Sequence, residues 1–262
     1  MGKALIERIP DKKSIRVLAR NEGDLIKLKQ QYPDIEIMSG DISNECSCKK
    51  ALFGPIEKVY HLAAFKHIGQ AEKDTIRCIE SNVTGTYNLL KNFNAGTFLA
   101  ISTDKAVKVS GVYGASKMLM ERMIKEFEKF MHYVEYRIVR YGNVLYSTGS
   151  VLCKWRDALL NGKEIIVTEP KATRYFWTVG QAIDLIFECE EKAKDSTPYC
   201  PEMKSMSVGD LLEAMQKKYG QAKKVKIIGL QKGENLHEII DENGIPSDKA
   251  KRFTIKEIIK LI

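Results

Sequence analysis

The sequence predicts an α/β fold: a Rossmann-like, doubly wound parallel sheet carrying a smaller C-terminal lobe. Three observations predict it. Short apolar, β-branched runs alternate with longer amphipathic segments up to about residue 145. Those runs are apolar almost throughout, as strands covered by helices on both faces must be. Polar or small residues follow each run, and open parallel sheets bind ligands beyond the carboxyl ends of their strands.

Taken in order, an amphipathic helix is expected over 3–9, ahead of a strand over 14–19 (SIRVLA). A helix over 22–32 and a strand over 35–39 (IEIMS) follow. The next strand covers 58–63 (KVYHLA), then a long helix 71–92 and a strand 97–102 (TFLAIS). A helix over 112–131 precedes the strand 135–140 (EYRIVR). After residue 145 the rhythm loosens. Helices remain plausible over 151–160, 180–192, 208–219 and 255–262. Ser207 reads as the N-cap of one of them and Gly220 as its C-cap. The expected organisation is therefore a parallel-sheet part, 1–145, and a smaller lobe, 146–262, with some chain crossing between them.

With 262 residues, a sizeable core is affordable in one large domain or one domain with an appendage. The composition excludes collagen, low-complexity disorder and a disulfide scaffold. No apolar run approaches the ~18 residues that span a bilayer, so no membrane association is expected. The six cysteines are scattered, which suggests a reducing cytoplasm. Only Cys46 and Cys48 are close, and no partner cluster makes them a zinc site, so no metal is expected. The net charge of +8 comes from scattered lysine pairs rather than one block. That pattern suits a solvated surface or attraction of a phosphorylated small molecule better than nucleic acid, and no nucleic-acid partner is expected.

The most informative stretch is Ser102-Thr103-Asp104-Lys105, followed by Tyr113-Gly-Ala-Ser-Lys117. Tyr113 and Lys117 at i, i+4 share one helix face. An ammonium beside a phenol favours the phenolate, which would fit Tyr113 for acid–base work near neutral pH. A hydroxyl at the strand end, Thr103, can hold a substrate oxygen. Elsewhere, Asp41 could accept from an adenine amino group, and Ala63 and Ala64 let a flat ligand approach the backbone. Arg20 at a strand end suits a ribose 2′-phosphate, where an acidic residue would suit a free 2′-hydroxyl.

These residues resemble the extended short-chain dehydrogenase/reductases. More narrowly they resemble the inverting UDP-N-acetylglucosamine 4,6-dehydratases of polysaccharide biosynthesis. The matching segments are His61-Leu-Ala-Ala-Phe-Lys66-His67, Asn82-Val-Thr-Gly-Thr86, Ser102-Thr-Asp-Lys-Ala-Val107, Tyr113 to Lys117, Arg140-Tyr-Gly-Asn-Val144, Gly149-Ser-Val151, Thr173-Arg-Tyr-Phe176, Gly233-Glu234 and His237-Glu238. Ser-Thr-Asp-Lys-Ala-Val is the most diagnostic of them.

The resemblance implies a UDP-sugar substrate, a homo-oligomer, and a tightly held NADP or NAD that is recycled. The cofactor would lie against Arg20, Asp41, Ile42, Leu62, Ala63, Ala64, Tyr113 and Lys117. Tyr113, helped by Lys117, would take the proton of the sugar 4-hydroxyl. Lys105, with a depressed amine pKa, would be the base at carbon 5. Asp104 would be the acid for the departing 6-hydroxyl. Arg174 would grip the diphosphate, and Lys66, Asn143 and Glu234 would hold sugar and uridine groups. A UDP-sugar 4-epimerase is the nearest rival reading, because an epimerase needs no carbon-5 base. A non-catalytic nucleotide-sugar-binding remnant is another. It is suggested by the front of the chain, where the Gly-x-Gly-x-x-Gly turn and its strand are absent. Weak nicotinamide binding is expected from that absence, set against a version extended upstream.

Overall fold

The computed structural model describes residues 1–147 and 149–262. The strands are β1 (Arg16–Ala19), β2 (Glu36–Ser39), β3 (Lys58–His61), β4 (Gly96–Thr103), β5 (Val134–Tyr141), β6 (Asn143–Val144), β7 (Ile165–Val167), β8 (Thr173–Trp177), β9 (Ser205–Ser207) and β10 (Val225–Ile227). The helices are α1 (Gly2–Arg8), α2 (Glu22–Gln31), α3 (Glu45–Ala51), α4 (Ile68–Ala71), α5 (Thr75–Ile79), α6 (Gly85–Asn92), α7 (Val112–Phe130), α8 (Val151–Leu160), α9 (Val179–Lys192), α10 (Val208–Tyr219) and α11 (Ile255–Leu261).

The expected parallel α/β architecture is present. β1 pairs with β2, and β3, β4 and β5 form a second parallel ladder. Among the described residues no ladder joins β1 to β3. The two pieces nevertheless share a core, since Leu18 of β1 and Val59 of β3 pack on the same apolar cluster as α3, α6 and α7. The opposite face of the β3–β5 ladder is covered by α1 and α9, through Leu5, Ile183 and Ile186. α9 belongs to the second half of the chain. A third cluster lies wholly after residue 144, around Trp155, Met206 and Ile258.

Local chemistry sets the helix ends. Asn21, Asn44, Thr178, Ser207 and Thr254 each accept a backbone N–H of the first turn they precede. Gly220 ends α10 at φ 103°, a conformation that costs glycine little.

Two expectations need correction. The helix expected over 71–92 is broken into α4, α5, a π turn over Glu80–Thr84, and α6. The reason is tertiary. Buried Asn82 must reach the main chain of Phe65, accepting from its N–H (2.7 Å) and donating to its C=O (2.9 Å), and it also donates to Ser116 Oγ (2.9 Å). A single π turn re-aims that one side chain without ending the helix. Helix α3 was not anticipated, because seven residues rich in Cys and Lys show no clear periodicity.

Candidate active site

β4 delivers Thr103 at its last position, and a single turn, Asp104–Ala106, carries the next two side chains. α7 starts a few residues later and lies against that turn. Gly114 permits the approach: a Cβ there would sit 2.4 Å from the Lys105 carbonyl oxygen. Tyr113 is thereby held over the turn. Its phenol shares a hydrogen bond with Thr103. Thr103 Oγ1 donates to Asp104 Oδ1 (2.8 Å), and Lys105 Nζ donates to the same oxygen (2.9 Å). Glu238 Oε1 lies 3.7 Å from Lys105 Nζ and 3.8 Å from Arg174 Nε. A continuous polar chain therefore runs Tyr113, Thr103, Asp104, Lys105, Glu238, Arg174. Its charged members are buried, Asp104 wholly and Glu238 to within 1%. Two carboxylates and two cations balance there, as burial of charge demands. One atom is left over: Asp104 Oδ2 is buried with no hydrogen-bond partner among the described residues.

The electrostatics differ from the sequence expectation at two places. Burial pushes the Tyr113 phenol up to about 12, and the cation opposing that rise is Lys105. Lys117 instead donates to the Ile101 carbonyl (2.5 Å) and Met120 Sδ (3.1 Å), and burial lowers its amine to about 8. Lys117 therefore does not lower the tyrosine in this structure. Lys105 is also not depressed. Burial alone would lower its amine, but Asp104 and Glu238 outweigh burial and Arg174, and hold it above its ordinary value as an ammonium.

The other predicted residues lie elsewhere on the strands and on the loops that follow them. Arg20 and Asp41, at the ends of β1 and β2, form an exposed ion pair of 3.6 Å. Ile42 is buried and packs against Gly85 in the core, and Leu62 packs on the opposite core. Ala63 is exposed and Ala64 half-buried at the end of β3. A dinucleotide lying beyond the ends of β1 to β3 would find room for a flat ring at the small side chains of Ala63 and Ala64, while Ile42 and Leu62 are core residues. The sequence contains no Gly-x-Gly-x-x-Gly turn for the pyrophosphate. Lys66 is exposed in the loop after β3, with a charge interaction from Cys153. Asn143 lies on β6, paired with Phe176. Glu234 accepts from the Gln231 N–H (3.0 Å), closing its own turn. Arg174 donates to the carbonyls of Thr173 and Leu236.

Sequence reasoning assigned no role to Glu238 or to the Glu121–Arg140 pair, which fastens α7 to β5. Nothing local marks either; only a glutamate within a matching segment pointed toward Glu238. Among the described residues no group of His, Cys, Asp and Glu could hold a metal ion, and no helix is long and apolar enough to cross a membrane.

A family model described as a polysaccharide biosynthesis protein matches residues 1–259. The chain belongs to this family. An uncharacterized membrane protein of Methanocaldococcus jannaschii is 32% identical over 260 residues, covering 92% of this chain and 78% of its own. The UDP-glucose 4-epimerase of Rickettsia canadensis is 30% identical over 251 residues, covering 90% of this chain and 73% of its own. Among solved structures, the X-ray structure of Pen from Bacillus thuringiensis superposes with a TM-score of 0.93 at 25% identity, covering 100% of this chain and 93% of that one. At 30% identity over 90% of this chain, the Rickettsia canadensis UDP-glucose 4-epimerase is a relative of this polysaccharide biosynthesis protein.

Proposed function

We propose that this chain is a 4,6-dehydratase of UDP-N-acetylglucosamine, working in a reducing cytoplasm with NADP. The observation that carries the reading is the buried contact of Asp104 Oδ1 with Lys105 Nζ beside Tyr113. When bound, the nicotinamide would take up a hydride from the sugar and return it. Everything else falls to residues of this chain. Burial holds the Tyr113 phenol protonated at rest; as phenolate, its own proton released to solvent, it takes the 4-hydroxyl proton as hydride leaves, with Thr103 holding the oxygen. The resulting ketone acidifies the hydrogen on carbon 5.

Lys105 rests as an ammonium, and a base must be an amine. The 2.9 Å contact to Asp104 resolves this. Transfer of one proton from Nζ to Oδ1 gives an amine and a carboxylic acid, and a site this dry lowers the penalty for that neutral pair. The amine then takes the carbon-5 proton while the acid protonates the leaving 6-hydroxyl. Water departs and the ammonium–carboxylate pair is restored; as hydride would return to carbon 6, carbon 5 takes from solvent the proton that Tyr113 released, and protons balance.

Arg174 would hold the diphosphate, and Lys66, Asn143 and Glu234 the sugar and uridine. Residues 1–145 would carry the cofactor and 146–262 the substrate. The exposed apolar side chains of Ile76, Ile79, Tyr87 and Leu119 on α5, α6 and α7 support association into a homo-oligomer.

A UDP-sugar 4-epimerase is the second reading. It is favoured by the Rickettsia relative's name and by Lys105 resting as an ammonium, since epimerisation uses Tyr113 alone as acid–base. Incubation with UDP-N-acetylglucosamine and NADP, read by mass, separates them: a dehydratase product lacks one water, and an epimerase product has unchanged mass.

A further inference from the structure

Glu238 stands outside the parallel sheet, on the segment after β10, yet its carboxylate reaches the centre of the polar chain. Its main chain is pinned before its side chain acts. The Glu238 N–H donates to Ser247 Oγ (2.9 Å), and the Ser247 N–H donates to the Glu238 carbonyl (2.8 Å). Ser247 Oγ in turn pairs with Thr173 Oγ1 (2.6 Å), next to Arg174. The side chain is steadied by Asn235, whose Nδ2 donates to Oε2 (3.2 Å) and to the Lys108 carbonyl (2.9 Å). Oε1 is left to face Lys105 and Arg174 together. A buried carboxylate costs several kcal/mol to desolvate, so it persists only where cations answer it.

We propose that Glu238 is a positioning residue for the reaction, one carboxylate that holds the acid–base lysine and the diphosphate-binding arginine at fixed places and keeps the transferable proton on Lys105 between turnovers. This deepens the dehydratase reading and rests on it. The charged and titratable groups facing Lys105 are Asp104, Tyr113, Glu238 and Arg174. Tyr175, packed behind them, feels Asp104, Glu238 and Asp248. Among these, Glu238 is the one carboxylate that touches both cations. Removing its charge leaves Asp104 alone to hold the ammonium, and the neutral pair becomes easier to reach.

The test is NMR titration of the protein carrying 13Cε-lysine, with Lys105 assigned from its loss in Lys105→Met. In the wild type its midpoint is expected above that of the exposed lysines. In Glu238→Gln it is expected to fall by about 1–2 pH units, the size of a lost opposite charge at this range. Glu238→Asp, which keeps the charge, is expected to fall by less. A wild-type midpoint below the exposed lysines, an unmoved midpoint in Glu238→Gln, or equal shifts in both variants would overturn the proposal; the last assigns the effect to packing. Where the wild type dehydrates its substrate, the rising alkaline limb of kcat should move to lower pH in Glu238→Gln. A wild type that titrates as expected but releases no water sinks the dehydratase reading and leaves the place of Glu238 intact.

Discussion

Arg140 grips Glu121 through two parallel hydrogen bonds, Nε to Oε1 (2.8 Å) and Nη2 to Oε2 (2.5 Å), with both side chains buried. Ser102 Oγ donates to the same carboxylate, and Arg140 Nη1 reaches the Ile240 carbonyl. One ion pair thus joins β4, β5, α7 and the C-terminal segment. Glu121 lies one turn beyond Lys117, so the pair also sets how α7 presents Tyr113 to the Asp104–Lys105 turn.

Breaking that pair on one side leaves a buried charge without its partner, which costs about 3–5 kcal/mol. Arg140→Met should lower the denaturation midpoint accordingly, whereas the exposed pair Lys217–Glu213 should matter little when Lys217 becomes Ala. Chemical denaturation of both variants checks this; equal losses would contradict the assignment.

Asn82 replaced by Ala orphans the N–H and C=O of Phe65, and roughly 2–3 kcal/mol should be lost. The loss should be local as well as global. Amide exchange at Phe65 and through the loop to His67 should speed up more than exchange in β5. Uniform acceleration would argue against a specific clasp.

His61 makes acid a destabilising condition. It is buried against Thr86 Oγ1 (2.9 Å), and burial, with Lys117 nearby, lowers its pKa from 6.5 to about 3. The unfolded chain binds the proton that the folded chain refuses. Its contribution is therefore full above pH 6.5 and falls as pH drops from 6.5 toward 3, by about 1.4 kcal/mol per pH unit. His61→Gln should flatten that part of the stability curve relative to the wild type. Parallel curves for the two proteins would refute it.

Arg20 beside Asp41 sets the choice of cofactor on this account. Arg20→Gln should weaken NADPH binding by about tenfold more than NADH binding, the worth of one charged hydrogen bond to a 2′-phosphate. Titration of each nucleotide by fluorescence measures the ratio. An unchanged ratio would place the 2′-phosphate elsewhere.

Local signals were readable in the sequence, and distant ones were not. β4, β5 and α7 carry long runs of one periodicity, so their positions and the Thr103–Lys105 and Tyr113–Lys117 motifs could be read directly. The π turn at Glu80–Thr84 was hidden, because it answers to Phe65, a partner on another loop. β6 to β10 were hidden because two to five residues hold no measurable alternation. The Lys105 amine is held up first by Asp104, its neighbour in sequence, and then by Glu238, which arrives from the far end of the chain and leaves no local mark. Lys117 stands four residues after Tyr113 on α7, but the Ile101 carbonyl takes its ammonium, and periodicity says nothing of that.

The central claim is that Tyr113, Asp104 and Lys105 act on one hexose and eliminate water across its carbons 5 and 6. Turnover of UDP-N-acetylglucosamine in D2O, followed by mass spectrometry and proton NMR, tests it most directly. The account predicts a 4-keto product short of one water, with deuterium at carbon 5, and neither change in Lys105→Met. A product of unchanged mass, epimerised at carbon 4 and free of deuterium, would contradict it.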